Sequence, residues 1–131
     1  MNFLTIHGKS RYPGLYIWTR GGKKVLVRVP DGCLLVQAGK QFEYLTGGHV
    51  LAGFHEVVVV DETLEAIEKA KQAGRPLWRI SSTLFGHIHS EQVLQPVGDF
   101  ANSEEAKNYP PMEAGEQVKE ELKQIKLAAS A

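Results

Sequence analysis

Three side chains in this 131-residue sequence have types and spacing suited to binding chemistry. They are His55, which opens the apolar run His55-Glu56-Val57-Val58-Val59-Val60, and the pair Arg79 and Ser81 in Trp78-Arg79-Ile80-Ser81-Ser82. An imidazole at the start of a strand is either a rim or core histidine satisfied by hydrogen bonds, or a metal ligand. Residues at i and i+2 of a strand face the same side, so the Arg79 guanidinium and the Ser81 hydroxyl can reach one ligand. A guanidinium fork grips a carboxylate through two parallel hydrogen bonds, and a hydroxyl adds a third. With no ligand to hold, the same arginine is an edge or surface charge. His87-Ile88-His89 also places two imidazoles on one side of an extended segment, where they can chelate a metal. His7 reads as a surface or core residue and His49 as a loop residue. Glu56, next to His55, points to the opposite face, toward solvent or a salt bridge.

The elements that must position these groups are short. Phe3 to His7 reads as a strand, followed by Leu15 to Thr19, Val25 to Val29 and Cys33 to Ala38. Gly21-Gly22 is the signal of a two-residue hairpin, and Pro30-Asp31-Gly32 is a turn in which Pro presets φ and Gly accepts positive φ. The fourth strand is almost wholly apolar and is expected to be covered on both faces, with Cys33 a small buried hydrophobe. Gly39 to Thr46 reads as one helical turn with Phe42 and Leu45 inward. His49 to Phe54 reads as a short strand and His55 to Val60 as a firmer one. Asp61 caps a helix over 62–73, in which Leu64, Ile67 and Ala70 recur at helical spacing and Glu65 and Lys69 form an i,i+4 pair. Gly74 and Pro76 end it. Leu77 to Leu84 is the strand that carries Arg79 and Ser81. Residues 97–111 read as an extended loop and Gly115 to Leu127 as a helix with Val118, Leu122 and Ile125 on one stripe. Many short strands with few helices point to an antiparallel sandwich or barrel.

Composition excludes several classes. The sequence is 43% apolar and 23% charged, as in soluble globular domains. Fifteen basic and fifteen acidic residues cancel, so nothing in the balance favours nucleic acid or an anionic membrane surface. One cysteine permits no internal disulfide. No apolar run approaches the roughly 18 residues of a membrane span, and no signal-peptide pattern opens the chain. A reducing cytoplasm is the expected compartment.

Several spaced segments agree in order with one family. They are Leu4-Thr5-Ile6-His7, Pro13-Gly14-Leu15-Tyr16-Ile17, Val29-Pro30-Asp31-Gly32-Cys33-Leu34-Leu35-Val36-Gln37-Ala38-Gly39, Leu45-Thr46-Gly47-Gly48, His55-Glu56-Val57 and Arg79-Ile80-Ser81. Over residues 2–96 the chain resembles the C-terminal half of the isopenicillin N synthase-like branch of Fe(II)/2-oxoglutarate-dependent dioxygenases. Pro110-Pro111 and the following helix also resemble the close of those chains. The resemblance implies a mainly β fold, a double-stranded β-helix or jelly roll. It implies an iron held by two histidines and a carboxylate with open positions for cosubstrate and oxygen. His55 matches the distal iron ligand, and Arg79 and Ser81 match the pair that holds the far carboxylate of 2-oxoglutarate. The branch also contains members that oxidise without 2-oxoglutarate. His87 and His89 hint instead at a cupin, another jelly roll, but Glu91 follows them sooner than a cupin carboxylate would.

The His-x-Asp pair that supplies the other two iron ligands would lie just before Asn2. The expectation is therefore an N-terminally truncated jelly roll, with residues 1–96 as its core, the helix at 62–73 inserted, and residues 97–131 as a surface loop and C-terminal helix. Fe(II) and 2-oxoglutarate belong to the complete family site, and the isolated chain is expected to be inactive. The alternative is a non-catalytic jelly-roll remnant acting as an oligomerisation or interaction module. Either way, open sheet edges call for a partner, a homodimer or a separate N-terminal half. The complete site would act on a small-molecule substrate.

Overall fold

A computed structural model describes residues 1–125. The molecule is mainly β. Its elements in chain order are β1 (Leu4–His7), β2 (Leu15–Trp18), β3 (Lys24–Leu26), β4 (Leu35–Ala38), α1 (Lys40–Leu45), β5 (Phe54–Val57), α2 (Asp61–Gln72), β6 (Thr83–Gly86), β7 (Val93–Leu94), β8 (Met112–Glu113) and α3 (Ala114–Gln124). The strands form three small sheets, in the orders β4-β1-β6, β3-β2-β5 and β7-β8. Cα packing divides the chain into two compact units, and the strands of the first sheet carry the chain from one unit into the other.

One unit comprises residues 6–35 and 53–83. Its sheet is antiparallel on both sides of β2, with Ile17 opposite both Val25 and His55, and Tyr16 opposite Leu26 and Glu56. The β2–β3 connection is wider than two residues. Thr19 N–H donates to the Lys23 carbonyl and Gly22 N–H to the Thr19 carbonyl, while the Thr19 hydroxyl accepts from Lys23 N–H. Gly22, at φ 75°, supplies the left-handed residue of this turn. Gly14 is constrained more tightly. It sits at φ 122°, accepts a hydrogen bond from Val58 N–H, and a Cβ there would lie 2.1 Å from the Val58 carbonyl oxygen. Thr63 ties α2 to the same place. Its hydroxyl accepts from Val60 N–H, one of the helix's free donors, and donates to the Pro13 carbonyl. Thr63 and Ala70 are the buried positions of α2. Leu64, expected inward, is exposed. The Glu65–Lys69 pair forms at 3.9 Å on the exposed surface, where such a pair contributes only a few tenths of a kcal/mol.

The other unit comprises residues 1–5, 36–52 and those from 84 onward. Its most buried side chains are Leu94 and Gln41. In α1 the buried residues are Gln41 and Glu43, with Phe42 and Leu45 only half-buried. The Gln41 carbonyl oxygen accepts from Ile88 N–H at 2.9 Å. Glu43 is a hub: it accepts from Lys40 Nζ, Ala52 N–H and Tyr109 Oη at 2.7, 2.7 and 3.0 Å. Burial pushes its pKa up, but these donors outweigh burial and hold the carboxyl below its ordinary value.

Five expectations are corrected. Residues 75–82 are not a strand, and β6 begins only at Thr83. Alternating Trp78 and Ile80 suggest a sheet face, yet both side chains are more than three-quarters exposed. Residues 49–53 are likewise outside any strand. Cys33 is exposed, because it still belongs to the preceding turn, donating to the Pro30 carbonyl. Leu34 and Val36 are also exposed, so β4 is not covered on both faces within this chain. The segment read as an extended loop contains two 3-10 helices, Gly98–Asn102 and Glu105–Asn108. The second is entered through Ser103, whose hydroxyl accepts from Ala106 N–H. The part of the C-terminal helix expected beyond residue 125 lies outside the described residues.

Candidate functional site

Within the unit formed by residues 6–35 and 53–83, a cavity of about 460 Å³ brings together residues that are far apart in sequence. His55 enters from β5, Arg79 and Ser81 from the irregular segment before β6, and His7 from the end of β1. Leu15, Val27, Val29, Leu35 and Val57 supply apolar wall, and Tyr12, Arg11, Lys9 and Arg28 line the rest. The volume lies within the 300–1,000 Å³ that ligand pockets typically occupy.

Local structure fixes each contributor. Antiparallel pairing of β2 with β5 sets His55 opposite Ile17. Its neighbour Glu56 forms an ion pair with Lys24 Nζ at 2.5 Å, and Lys24 also lies 4.6 Å from the Tyr16 ring centroid. That matches the reading of Glu56 as salt-bridged. His7 Nδ1 lies 3.3 Å from the Thr83 hydroxyl, and its ring meets that of His55 edge-on with centroids 6.2 Å apart. The Arg79–Ser81 segment has no strand partner, but its end is held where Gly8 N–H donates to the Ser82 carbonyl. Arg11 Nη1 donates to the Pro76 carbonyl at 3.1 Å, which steadies the same segment from its other end. His55, Arg79 and Ser81 are all exposed at the cavity surface.

Charge at the cavity is one-sided. Lys9, Arg11, Arg28 and Arg79 line it and no aspartate or glutamate does. Lys9 is answered by Asp31, outside the lining, at 2.5 Å. Hydrogen bonding to the Lys9 ammonium holds the Asp31 carboxyl below its ordinary pKa. Such a cavity favours an anion. Tyr12 is 8% exposed, and its hydroxyl is buried without a hydrogen-bond partner.

Sequence reasoning singled out His55, Arg79 and Ser81, and the structure places all three on one cavity wall system. It missed Tyr12, Arg28 and the cavity position of His7. His87 and His89 lie elsewhere, past the end of β6 and not on a strand. His87 lines a separate hollow of about 420 Å³ with Glu91 and Glu116, and His89 Nδ1 accepts from Glu91 N–H. Among the described residues no group of three or more His, Cys, Asp or Glu is placed to hold a metal ion.

No family model and no curated protein matches the sequence. Solved structures do match. A protein of Caulobacter crescentus assigned to the 2OG-Fe(II) oxygenase family superposes with a TM-score of 0.75 at 23% identity, over 95% of this chain and 38% of that one. This chain shares the fold of the matched part of that oxygenase structure. Full-length Neurospora crassa T7H in complex with α-ketoglutarate gives a TM-score of 0.70 at 14% identity, over 92% of this chain and 34% of its own. The rice dioxygenase for auxin oxidation gives 0.71 at 18% identity, over 94% and 38%. The chain thus spans a little over a third of the length of these oxygenase structures. No helix among the described residues is long and apolar enough to cross a membrane.

Proposed function

We propose that this chain carries the cosubstrate-anchoring part of an Fe(II)/2-oxoglutarate-dependent oxygenase site, of the isopenicillin N synthase-like kind. Arg79 and Ser81 hold the distal carboxylate of 2-oxoglutarate, and His55 is one iron ligand. The observation that carries this reading is that all three line one cavity whose lining has four cationic residues and no acidic one. Helix α2 is then an insertion between the ligand strand β5 and the anchoring segment.

The residues fit the two groups unequally. A guanidinium and a hydroxyl at one cavity wall suit a carboxylate. For iron the described residues fall short, since no cluster of three ligands exists among them and the sequence contains no His-x-Asp pair. One imidazole does not fix a facial geometry. In the complete family site the metal, with 2-oxoglutarate and oxygen, supplies oxidation of a C–H bond. This chain's own residues bind and orient the cosubstrate and exclude water from its apolar chain. On this reading the 131-residue chain binds 2-oxoglutarate but does not oxidise a substrate unaided.

Titration calorimetry with 2-oxoglutarate tests the proposal. Binding that weakens at least about tenfold in Arg79→Ala is expected, since a charge-assisted contact contributes roughly 1.5–3 kcal/mol. Binding unaffected by Arg79→Ala would overturn it.

A second reading is favoured by exposed apolar side chains. Phe54, Val59, Trp78 and Ile80 are each at least 70% exposed, and apolar side chains that join into one exposed patch mark an interaction site. In that reading the domain pairs with a second copy or with a separate polypeptide. Light scattering of the purified chain separates the two, because a strict monomer at high concentration removes self-association.

A further inference from the structure

The β3-β2-β5 sheet has two faces, and one of them borders the cavity. Leu15, Val27, His55 and Val57 line that cavity, so the residues alternating with them point to the other face. Tyr16 stands opposite Leu26 and Glu56, and Trp18 opposite Lys24 and Phe54. Residues opposite each other across a ladder share a face, which puts these six side chains together on the outside of the sheet. Contacts agree with the register. Lys24 Nζ lies 2.5 Å from Glu56 Oε1, and 4.6 and 5.9 Å from the ring centroids of Tyr16 and Trp18. All six residues belong to the unit of residues 6–35 and 53–83.

The outer face has the composition of a buried one. Three of its six residues are aromatic, and Trp18 and Phe54, paired across the ladder, are 47% and 75% exposed. Its charge says what fits over it. Lys24 and Glu56 are its only ionic groups, one of each sign. A strongly basic or acidic partner finds no net charge to answer, whereas a second copy of the same face does. Two sheets pack face to face about 10 Å apart with their strands within about 30°. A twofold axis running along β2 then lays Trp18 near its own copy and sets β3 of one chain over β5 of the other. Lys24 of each copy thereby faces the strand that carries the Glu56 of its mate. Both side chains are still 36% exposed in the single chain, so each can meet a second charge from above. Such self-complementarity is what a twofold interface requires.

We infer that the outer face of the β3-β2-β5 sheet is a twofold interface with a second copy of this chain, centred on Trp18 and Phe54, with Lys24 and Glu56 forming ion pairs between the copies. The inference deepens the self-association reading given above by naming its surface and its partner. It stands apart from the cosubstrate reading, because the cavity lies on the opposite face of the sheet. At about 4.8 Å between strands and about 3.4 Å per residue, a three-stranded face of this length covers on the order of 200 Å². A standard interface covers about 800 Å² per partner, so the pair belongs to the weak class and forms at high protein concentration.

The test is analytical ultracentrifugation of the whole chain from micromolar to millimolar concentration, with circular dichroism to show that each variant folds. A monomer–dimer equilibrium is expected. Trp18→Ala should weaken it at least about tenfold, since a central aromatic carries much of an interface, and Phe54→Ala severalfold. Trp78→Ala removes a tryptophan that is 77% exposed but lies outside the sheet, and the dimer should survive it. Lys24→Glu and Glu56→Lys should each weaken the dimer alone, and an equimolar mixture of the two should restore a mixed dimer, because every opposed pair again joins unlike charges. Should either charge variant fail to fold, Trp18→Ala decides. A chain that stays monomeric at millimolar concentration overturns both the inference and the self-association reading. A dimer that survives Trp18→Ala, or a mixture no tighter than its two components, overturns the inference alone and assigns self-association to another surface.

Discussion

The ring of His7 stands edge-on to the ring of His55 with centroids 6.2 Å apart, and both imidazoles line the cavity that Arg79 and Ser81 line. A residue of β1 and a residue of β5 are thus brought together by separate sheets. His7 is tied to Thr83 through Nδ1, which orients its ring toward the cavity. Thr83 lines the same cavity, so removing its hydroxyl acts on the His7 ring within the site. Thr83→Val should leave the fold intact, cost about 1 kcal/mol of stability, and broaden or shift the His7 and His55 ring resonances in NMR. Unchanged His55 resonances would show that the two rings are not coupled in solution.

Gly14 is the turn on which the Tyr12 side of the cavity depends. Its φ of 122° is a region that side chains rarely adopt, and a Cβ would lie 2.1 Å from the Val58 carbonyl oxygen. Gly14→Ala must shift backbone against backbone. A loss of roughly 2–4 kcal/mol in denaturant unfolding is expected, with Gly21→Ala nearly neutral as the control, since nothing lies within 4 Å of a Cβ at that position.

Thr63 joins the start of α2 to the Pro13 carbonyl. Thr63→Val keeps the shape and loses both hydrogen bonds. Loss of a helix-start hydroxyl alone costs about 1 kcal/mol, and the orphaned Pro13 carbonyl adds to it. Thr63→Ser retains the hydroxyl and should recover most of the loss, measured by thermal unfolding.

Glu43 sets the acid limit of the other unit. Although burial opposes its charge, hydrogen bonds from Lys40, Ala52 and Tyr109 hold its folded pKa below the ordinary value. A carboxyl with a depressed folded pKa stabilises fully above its unfolded pKa, and that contribution disappears as pH falls through the folded value. Stability should therefore decline on acidification through and below the usual carboxylate range. In Glu43→Gln this part of the decline should be absent, and the protein should be less stable at neutral pH by roughly 3 kcal/mol. An unchanged pH profile in Glu43→Gln would assign the acid sensitivity elsewhere.

Much of the strand order was legible, because β1, β2, β3 and β5 are short apolar runs between glycines and prolines. Helices α1, α2 and α3 were legible from their spacing and from Gly74 and Pro76. What failed was whatever depends on a neighbour. Residues 77–82 alternate like a strand, but a strand exists only where another backbone pairs with it, and none pairs with Arg79. Cys33 sits in an apolar run, yet the turn before it still holds its N–H. Gln41 and Glu43 are buried beyond the flanking Phe42 and Leu45, since Ile88, Ala52 and Tyr109 supply their hydrogen bonds from distant sequence. The three candidate site residues were visible only through the ordered segments that resemble the dioxygenase family, since a lone histidine or a strand arginine by itself reads as an ordinary rim or surface residue. Tyr12 was not, because its unpartnered hydroxyl is a property of packing.

The central claim is that Arg79 and Ser81 receive a carboxylate inside the cavity that His55 also lines. A crystal structure of the chain grown with 2-oxoglutarate tests it most directly. The account predicts the distal carboxylate paired with both Arg79 guanidinium nitrogens and the Ser81 hydroxyl, and the oxo-acid end directed toward His55. A cosubstrate molecule bound outside that cavity, or an empty cavity at saturating 2-oxoglutarate, would contradict it.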